Sequence, residues 1–390
     1  MGAGTVAVVG GGIGGLTAAI ALRAQGIDVV VHEQASRFAR VGADINLTPN
    51  AVRALDGLGD GLGGGLGERL RENAARPRYR ISRTWDTGVE TSRIAMGEDA
   101  EIRYGAPQLT LHRGDLISAL EDRLPAATVR FGSRIESVDP GGATDSDGAV
   151  LRFADGSAEE ADLVIGADGI HSRVRTAMFG AERPTFTGVV AFRSVVPASR
   201  LTGVPNLDSF TKWWGPDRST QIVTFPLTRG EEIFVFATVG QEEWTEESWT
   251  TPGSVDELRA LYEGFHPEAR ALLEGCDETL KSALYVRDPL AEWSAGRAVL
   301  LGDACHPMMP FMAQGAGQAI EDAVVLSRML AAHARAADAV RAYEAERRPR
   351  TARIQIGSRG NDWLKSEGSG DWVYGYDAWS VPTTVPGTVA

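Results

Sequence analysis

Cysteine is almost missing from this chain, and so is any excess of positive charge. Cys276 and Cys305 are its two thiols, too few for a secreted disulfide framework, which points to the reducing cytoplasm. Its 39 Lys and Arg against 52 Asp and Glu leave a net charge of -13. Nucleic acid and anionic membrane are held by clustered cations, so neither partner is expected. Residues 1–22 carry no charged side chain, yet they lack the basic start of a signal peptide, and six glycines between Gly2 and Gly14 spoil them as an inserting helix. There is no internal repeat and no low-complexity tract. A 390-residue chain with 43% hydrophobic residues reads as globular and large enough for two domains. A small-molecule partner remains; assembly into a homo-oligomer stays open.

What is present begins at "TVAVVG", a β-branched strand, followed by the turn "GGIGG" and by "LTAAIALRAQG", of helical composition and closed by Gly26. A second strand, "DVVVHE", follows. Gly10, Gly12 and Gly15 take the G-x-G-x-x-G spacing around Ile13 and Gly14, and Glu33 ends the second strand. Gly10 permits the tight turn, Gly12 lets backbone amides approach a pyrophosphate, Gly15 lets helix pack on strand, and the helix start favours an anion. Glu33 is placed to accept bonds from ribose hydroxyls. This pattern does not choose between NAD and FAD.

A dehydrogenase would continue in strand and helix alternation. Here a Gly-rich loop at residues 56–67 leads instead to the short strands "RYRISRT" and "PQLTLHR", a helix "GDLISALEDRL", and two strands around a turn at residues 141–148. In "ADLVIGADGIHSRVR" a second glycine turn carries Asp168 ahead of a basic helix, an arrangement suited to a bound nucleotide. Residues 186–285 are aromatic and β-branched, and read as a mostly antiparallel sheet walling the nucleotide domain. The chain returns at "LLGDACHPMMPFMAQGAG", then runs into a long helix and an aromatic tail. Cys305 and His306 are adjacent and have no other His or Cys close in sequence, so no metal site is expected.

Three motifs in order, "GGGIGG", "DLVIGADGIHSRVR" and "LLGDACHPMMPFMAQGAGQAIEDA", resemble those of the class A flavoprotein aromatic hydroxylases, the para-hydroxybenzoate hydroxylase fold. The resemblance spans residues 6–348. "LHRGDL", "KWW" and "WVYGYD" resemble the 6-hydroxynicotinate 3-monooxygenase branch. The implied fold is α/β: a Rossmann-like FAD-binding domain (1–75, 113–180 and 286–335), an inserted, mostly antiparallel substrate domain (76–112 and 181–285), and a C-terminal helical and aromatic tail (336–390).

The same resemblance implies FAD held non-covalently by Gly10, Gly12, Ile13, Gly14, Gly15, Glu33, Arg113, Asp168 and Asp303. Pro310 would lie along the ring, and Gly315, Ala316 and Gly317 would open a helix whose amides face the anionic edge of reduced flavin. Pro310, Gly315 and Gly317 thereby bear on catalysis. Met308, Met309, Met312 and Phe311 would keep the site dry. The implied activity uses NADH or NADPH and O2 to hydroxylate a small aromatic ring ortho or para to its hydroxyl through a flavin C4a-hydroperoxide. A proton acceptor near that hydroxyl helps, with Tyr79, Tyr104 and His112 as candidate relay members. A flavin halogenase shares the fold, but its Trp-x-Trp-x-Ile-Pro segment is absent; an NAD-dependent dehydrogenase is the alternative of another class.

Aligned on these motifs, the positions at which the branch carries histidine are Asn46, Ser219 and Phe311. Its Cys and Tyr positions are Phe210 and Val223, and Phe225 joins the same pocket. Burying an unpaired carboxylate costs several kcal/mol, whereas an apolar substituent gains about 25 cal/mol per Å². The expected substrate is therefore an apolar-substituted hydroxypyridine or phenol, such as a piericidin-like pyridinol of secondary metabolism. The alternative is a catabolic hydroxylase of the 6-hydroxynicotinate or salicylate type, for which Arg193 or Lys212 would supply the missing donors.

Overall fold

In the computed structural model the described residues are 5–38, 44–59, 65–142, 148–244, 251–360 and 370–383. Parts of the Gly-rich loop at 56–67 and of the turn at 141–148 lie outside them. Every side chain of the Val6–Val9 strand is buried, as befits a strand covered on both faces. It lies within a six-stranded sheet ordered Ser294–Ala295, Ala298–Leu300, Leu163–Gly166, Val6–Val9, Val29–His32 and Val129–Arg130. All pairings but that of the edge strand Ser294–Ala295 are parallel. The register sets Val9, Gly166 and Leu300 level. Gly10, Asp168 and Asp303 therefore emerge together at the carboxyl edge, where open α/β sheets take their ligands.

The first helix, Ile13–Ala24, starts inside the glycine turn rather than after it. Packing decides this: a Cβ on Gly15 would lie 1.9 Å from the Gly10 carbonyl oxygen. Facing this domain is a seven-stranded sheet ordered Leu280–Val286, Thr185–Pro197, Glu232–Gly240, Gln221–Leu227, Phe210–Trp214, Tyr79–Thr84 and Glu90–Ala95. It is antiparallel except where Tyr79–Thr84 runs parallel to Phe210–Trp214. One face is covered by two short helices that the β-rich texture concealed, Val255–Leu261 and Pro267–Glu274, packed on Phe192 and Trp213. The other face carries Phe210, Val223, Phe225, Phe234 and Phe236 against Met309 and Phe311. Among the described residues no helix is long and apolar enough to cross a membrane.

The Gly315–Ala332 helix packs between Ile13–Ala24 and Ala336–Arg359. Arg347 donates to Glu321 at 2.6 Å and to Asp322 at 2.8 Å, while His306 Nε2 lies 2.6 Å from Asp322. All four are buried. Charges persist in such a place only when paired, so this network locks the loop at residues 302–306 to both helices. Burial pushes the Asp322 carboxyl up, but His306 and Arg347 hold it down to about 2. Cys305, His306 and Asp322 bring potential ligand atoms within 4.8 Å of one another. Asp322 also accepts from the Gly302 amide, and burial holds the Cys305 thiol well above its usual range.

Candidate active site

Two cavities of about 410 and 840 Å³ share a wall that includes Gly12, Arg113, Asp303 and Met308. The larger runs past Gly10, Glu33 and Asp168. Gly10 has φ +105°, and a Cβ there would meet the Ala167 carbonyl oxygen at 2.5 Å, so only glycine makes this turn. Gly12 has open space where a side chain would stand, which bares its backbone to both cavities. Ile13 and Gly14 line the smaller one. Glu33 accepts from the Gly11 and Ala35 amides, each at 2.8 Å, and is thereby fixed at the lip of the turn. Asp168 accepts from the Ser172 hydroxyl and the Arg173 amide, each at 2.6 Å; it caps the Arg173–Phe179 helix as well as lining the cavity. Burial draws Arg113 down and pushes Asp303 up, and the opposite charges of the pair oppose both shifts.

Gly315 and Ala316 line the smaller cavity. The Gln318 amide is the first to reach the preceding turn, at the Gln314 carbonyl. The amides of residues 315–317 are therefore the free donors of a helix start. Gly317 does not itself line the cavity: a Cβ there would meet Ala51 at 3.4 Å, so its bareness lets the Pro49–Gly59 helix approach. Bare backbone, a fixed acid and free helix-start amides fit a dinucleotide such as FAD.

The side of the smaller cavity formed by the seven-stranded sheet is an aromatic wall. Phe210 and Phe225 stack with centroids 5.3 Å apart and planes 5° off parallel. Val223, Phe234 and Phe236 continue the wall, and Pro310 and Phe311 also line this cavity. Asn46 accepts from Gln108 at 2.9 Å, and its own Nδ2 has no partner. Ser219 is a correction: it sits in the turn between Phe210–Trp214 and Gln221–Leu227, its hydroxyl bonded to Asp217 at 2.6 Å, and it lines neither cavity. Met312 packs elsewhere, with Ile354 and Tyr374.

The expected proton relay is corrected as well. Tyr104 donates to Asp371 at 2.6 Å, His112 accepts from the Gly114 amide at the start of Arg113–Glu121, and Tyr79 lies beneath Arg78 and Arg93. None of the three lines either of these two cavities. The expectation of a wall poor in donors also fails, because Arg80, Lys212 and Arg193 all line it. Lys212 Nζ stands 3.5 Å from the Trp214 ring centre. Arg193 donates to the Ser282 hydroxyl and faces Asp44, whose carboxyl burial pushes up to about 6 against the pull of Arg193. A signal for Lys212 existed: in a strand, residues two apart share a face, and it stands between Phe210 and Trp214.

Comparison with known proteins bears on the cofactor. Residues 4–356 match the family described as FAD binding domain. The chain is 42% identical to a 6-hydroxynicotinate 3-monooxygenase of Bordetella bronchiseptica, over 97% of this chain and 96% of that one. It is 37% identical to the 3-amino-4-hydroxybenzoate 2-monooxygenase PtmB3 of Streptomyces platensis, over 96% of each. A salicylate hydroxylase in its substrate complex superposes with a TM-score of 0.80 at 27% identity, covering 96% of each chain. Klebsiella pneumoniae HpxO complexed with FAD and uric acid gives 0.80 at 27%, covering 96% of this chain and 92% of that one. The dehydrogenase alternative falls with these matches. A backbone cradle for a dinucleotide, set against an aromatic wall and carried on this shared sequence and fold, places the chain in the FAD-binding family of class A flavoprotein aromatic hydroxylases, monooxygenases that use FAD, NAD(P)H and O2.

Proposed function

We propose that the enzyme hydroxylates a phenol or hydroxypyridine ring ortho or para to the ring's own hydroxyl, and that the ring carries an apolar substituent, as in a piericidin-like pyridinol. The observation that carries this reading is the wall of Phe210, Val223, Phe225, Phe234 and Phe236 facing Met309 and Phe311. Such a wall holds an aromatic ring flat by stacking and excludes water from the reacting edge. Gly10, Gly12, Gly15, Glu33, Arg113, Asp168 and Asp303 would hold FAD, which when bound and reduced activates O2 for transfer of one oxygen atom to the ring. The amides of residues 315–317 offer preorganised positive charge to an anionic edge of the cofactor. Asn46, steadied by Gln108, presents its free Nδ2 to the ring hydroxyl or nitrogen. Two buried free cysteines suit a cytoplasmic setting.

A second reading, a carboxylated ring of the 6-hydroxynicotinate or salicylate type, is favoured by the three cations in the wall and by the substrates in the relatives' names. The test is a screen of hydroxylated aromatics for stimulated NADH and NADPH oxidation, with product analysis. Tight coupling with an alkylated hydroxypyridine supports the first reading; coupling with 6-hydroxynicotinate and none with the alkylated ring supports the second. Flavin should leave the purified protein on denaturation, and flavin retained by the precipitate would overturn the cofactor site drawn above.

A further inference from the structure

Four arginines are buried among the described residues: Arg80, Arg175, Arg287 and Arg347. Three of them donate to protein oxygens. Arg347 holds Glu321 and Asp322, Arg175 donates to the Ala304 and Ile170 carbonyls, and Arg287 to those of Ile170 and Glu182. Arg80 is different. It is 7% exposed, it lines the substrate cavity, and its Nε has no hydrogen-bond partner. No described carboxylate or carbonyl pairs with its guanidinium, which lies with Cζ 4.4 Å above the Phe210 ring. An uncompensated buried charge is strongly unfavourable, and stacking on one ring offsets only part of that cost.

We propose that Arg80 is the anion-binding residue of the substrate cavity and pairs with an anionic oxygen on the bound ring. Its register places it there: Arg80 is level with Phe210, whose ring stacks on Phe225, so the guanidinium stands at the end of the row on which the ring would lie. The other three cations lining this cavity are engaged, Arg113 with Asp303, Arg193 with Asp44 and Lys212 over Trp214. Burial draws the Arg80 guanidinium down, opposed by Tyr374, as fits a cation whose counter-charge arrives with the ligand. The anionic oxygen has two sources, the ionised ring hydroxyl and a carboxylate substituent. If it is the hydroxyl, Arg80 favours the ionised ring, which is the form more reactive toward an electrophilic oxygen.

The inference rests on the reading of this cavity as the substrate site, and the test keeps the two apart. Holoenzyme in wild-type, Arg80→Lys and Arg80→Met forms is titrated across pH with 6-hydroxynicotinate and with 5-butyl-2-hydroxypyridine. Binding is followed by the change in flavin absorbance, and ring ionisation by the ligand's own ultraviolet band. Arg80→Met should weaken its ligand roughly 10- to 100-fold, the range for a hydrogen bond to a charged group, with partial rescue in Arg80→Lys and unchanged FAD affinity. A carboxylate source predicts loss for 6-hydroxynicotinate alone. A ring-oxygen source predicts loss for both, with ionisation of the bound ring displaced to higher pH. Equal affinities and ionisation in all three proteins would overturn the role of Arg80 and leave the substrate site standing. Failure of every hydroxylated ring to bind wild type would overturn the site itself. Should Arg80→Met not fold, the Arg80→Lys curves decide alone: coincidence with wild type at every pH sinks the proposal.

Discussion

The two walls of the site are built by different means. On the proposed cofactor side the working groups are backbone or side chains pinned by backbone: a glycine turn at residues 10–15, free amides at residues 315–317, and carboxylates fixed by amides at Glu33 and Asp168. On the proposed substrate side they are side chains drawn from separate strands: Phe210, Phe225 and Phe234 come level through neighbouring hairpin pairings, and Arg80 joins them through a parallel pairing with a strand far away in sequence. Backbone geometry imposes a spacing that a short motif records. A wall of side chains imposes only alternation, and it leaves the identity of each residue free to follow the ligand. The first wall therefore announces its cofactor, whereas the second has to be seen assembled.

The largest effect should come from the joint behind the cofactor wall. Arg347→Met leaves Glu321 and Asp322 buried with fewer counter-charges and should cost about 3 to 5 kcal/mol of stability, read from the denaturant midpoint. An unchanged midpoint would mean that the network is not what holds the loop at residues 302–306. Next, Asp303→Ala should weaken FAD by about 1 to 3 kcal/mol in a fluorescence titration without reordering the ligands. If the ligand ranking changed instead, the division between the walls would be false.

Asp44 lies where the two cavities meet, and its sign can be worked out. Its carboxyl rises from 3.8 to about 6 on folding. A raised value contributes stability below the unfolded value and loses it as pH climbs through the folded one. Asp44→Asn should therefore stabilise the protein by about 3 kcal/mol at pH 8 and by less than about 1 kcal/mol at pH 4. Thermal melts at the two pH values measure this, and equal shifts at both would exclude a raised carboxyl. The smallest effect belongs to Ser219→Ala, a turn residue outside both cavities: a stability change within about 0.5 kcal/mol and unaltered ligand dissociation constants, checked in the same titrations.

Sequence alone determined the nucleotide-binding half. Val6–Val9, Val29–His32 and Leu163–Gly166 occupy the stretches their β-branched composition marks, and Gly10, Glu33 and Asp303 face the cavities as their motifs imply. Local patterns suffice there because each glycine answers a local need, a positive φ or a close approach. Tertiary structure decided what those motifs could not. It turned Gly317 toward the Pro49–Gly59 helix, withdrew Ser219 and Tyr104 from the pocket, and brought Arg80 from an early strand into a parallel pairing with Phe210–Trp214. Strand order and register across more than a hundred residues select which alternate side chains meet, and no window along the chain contains that information.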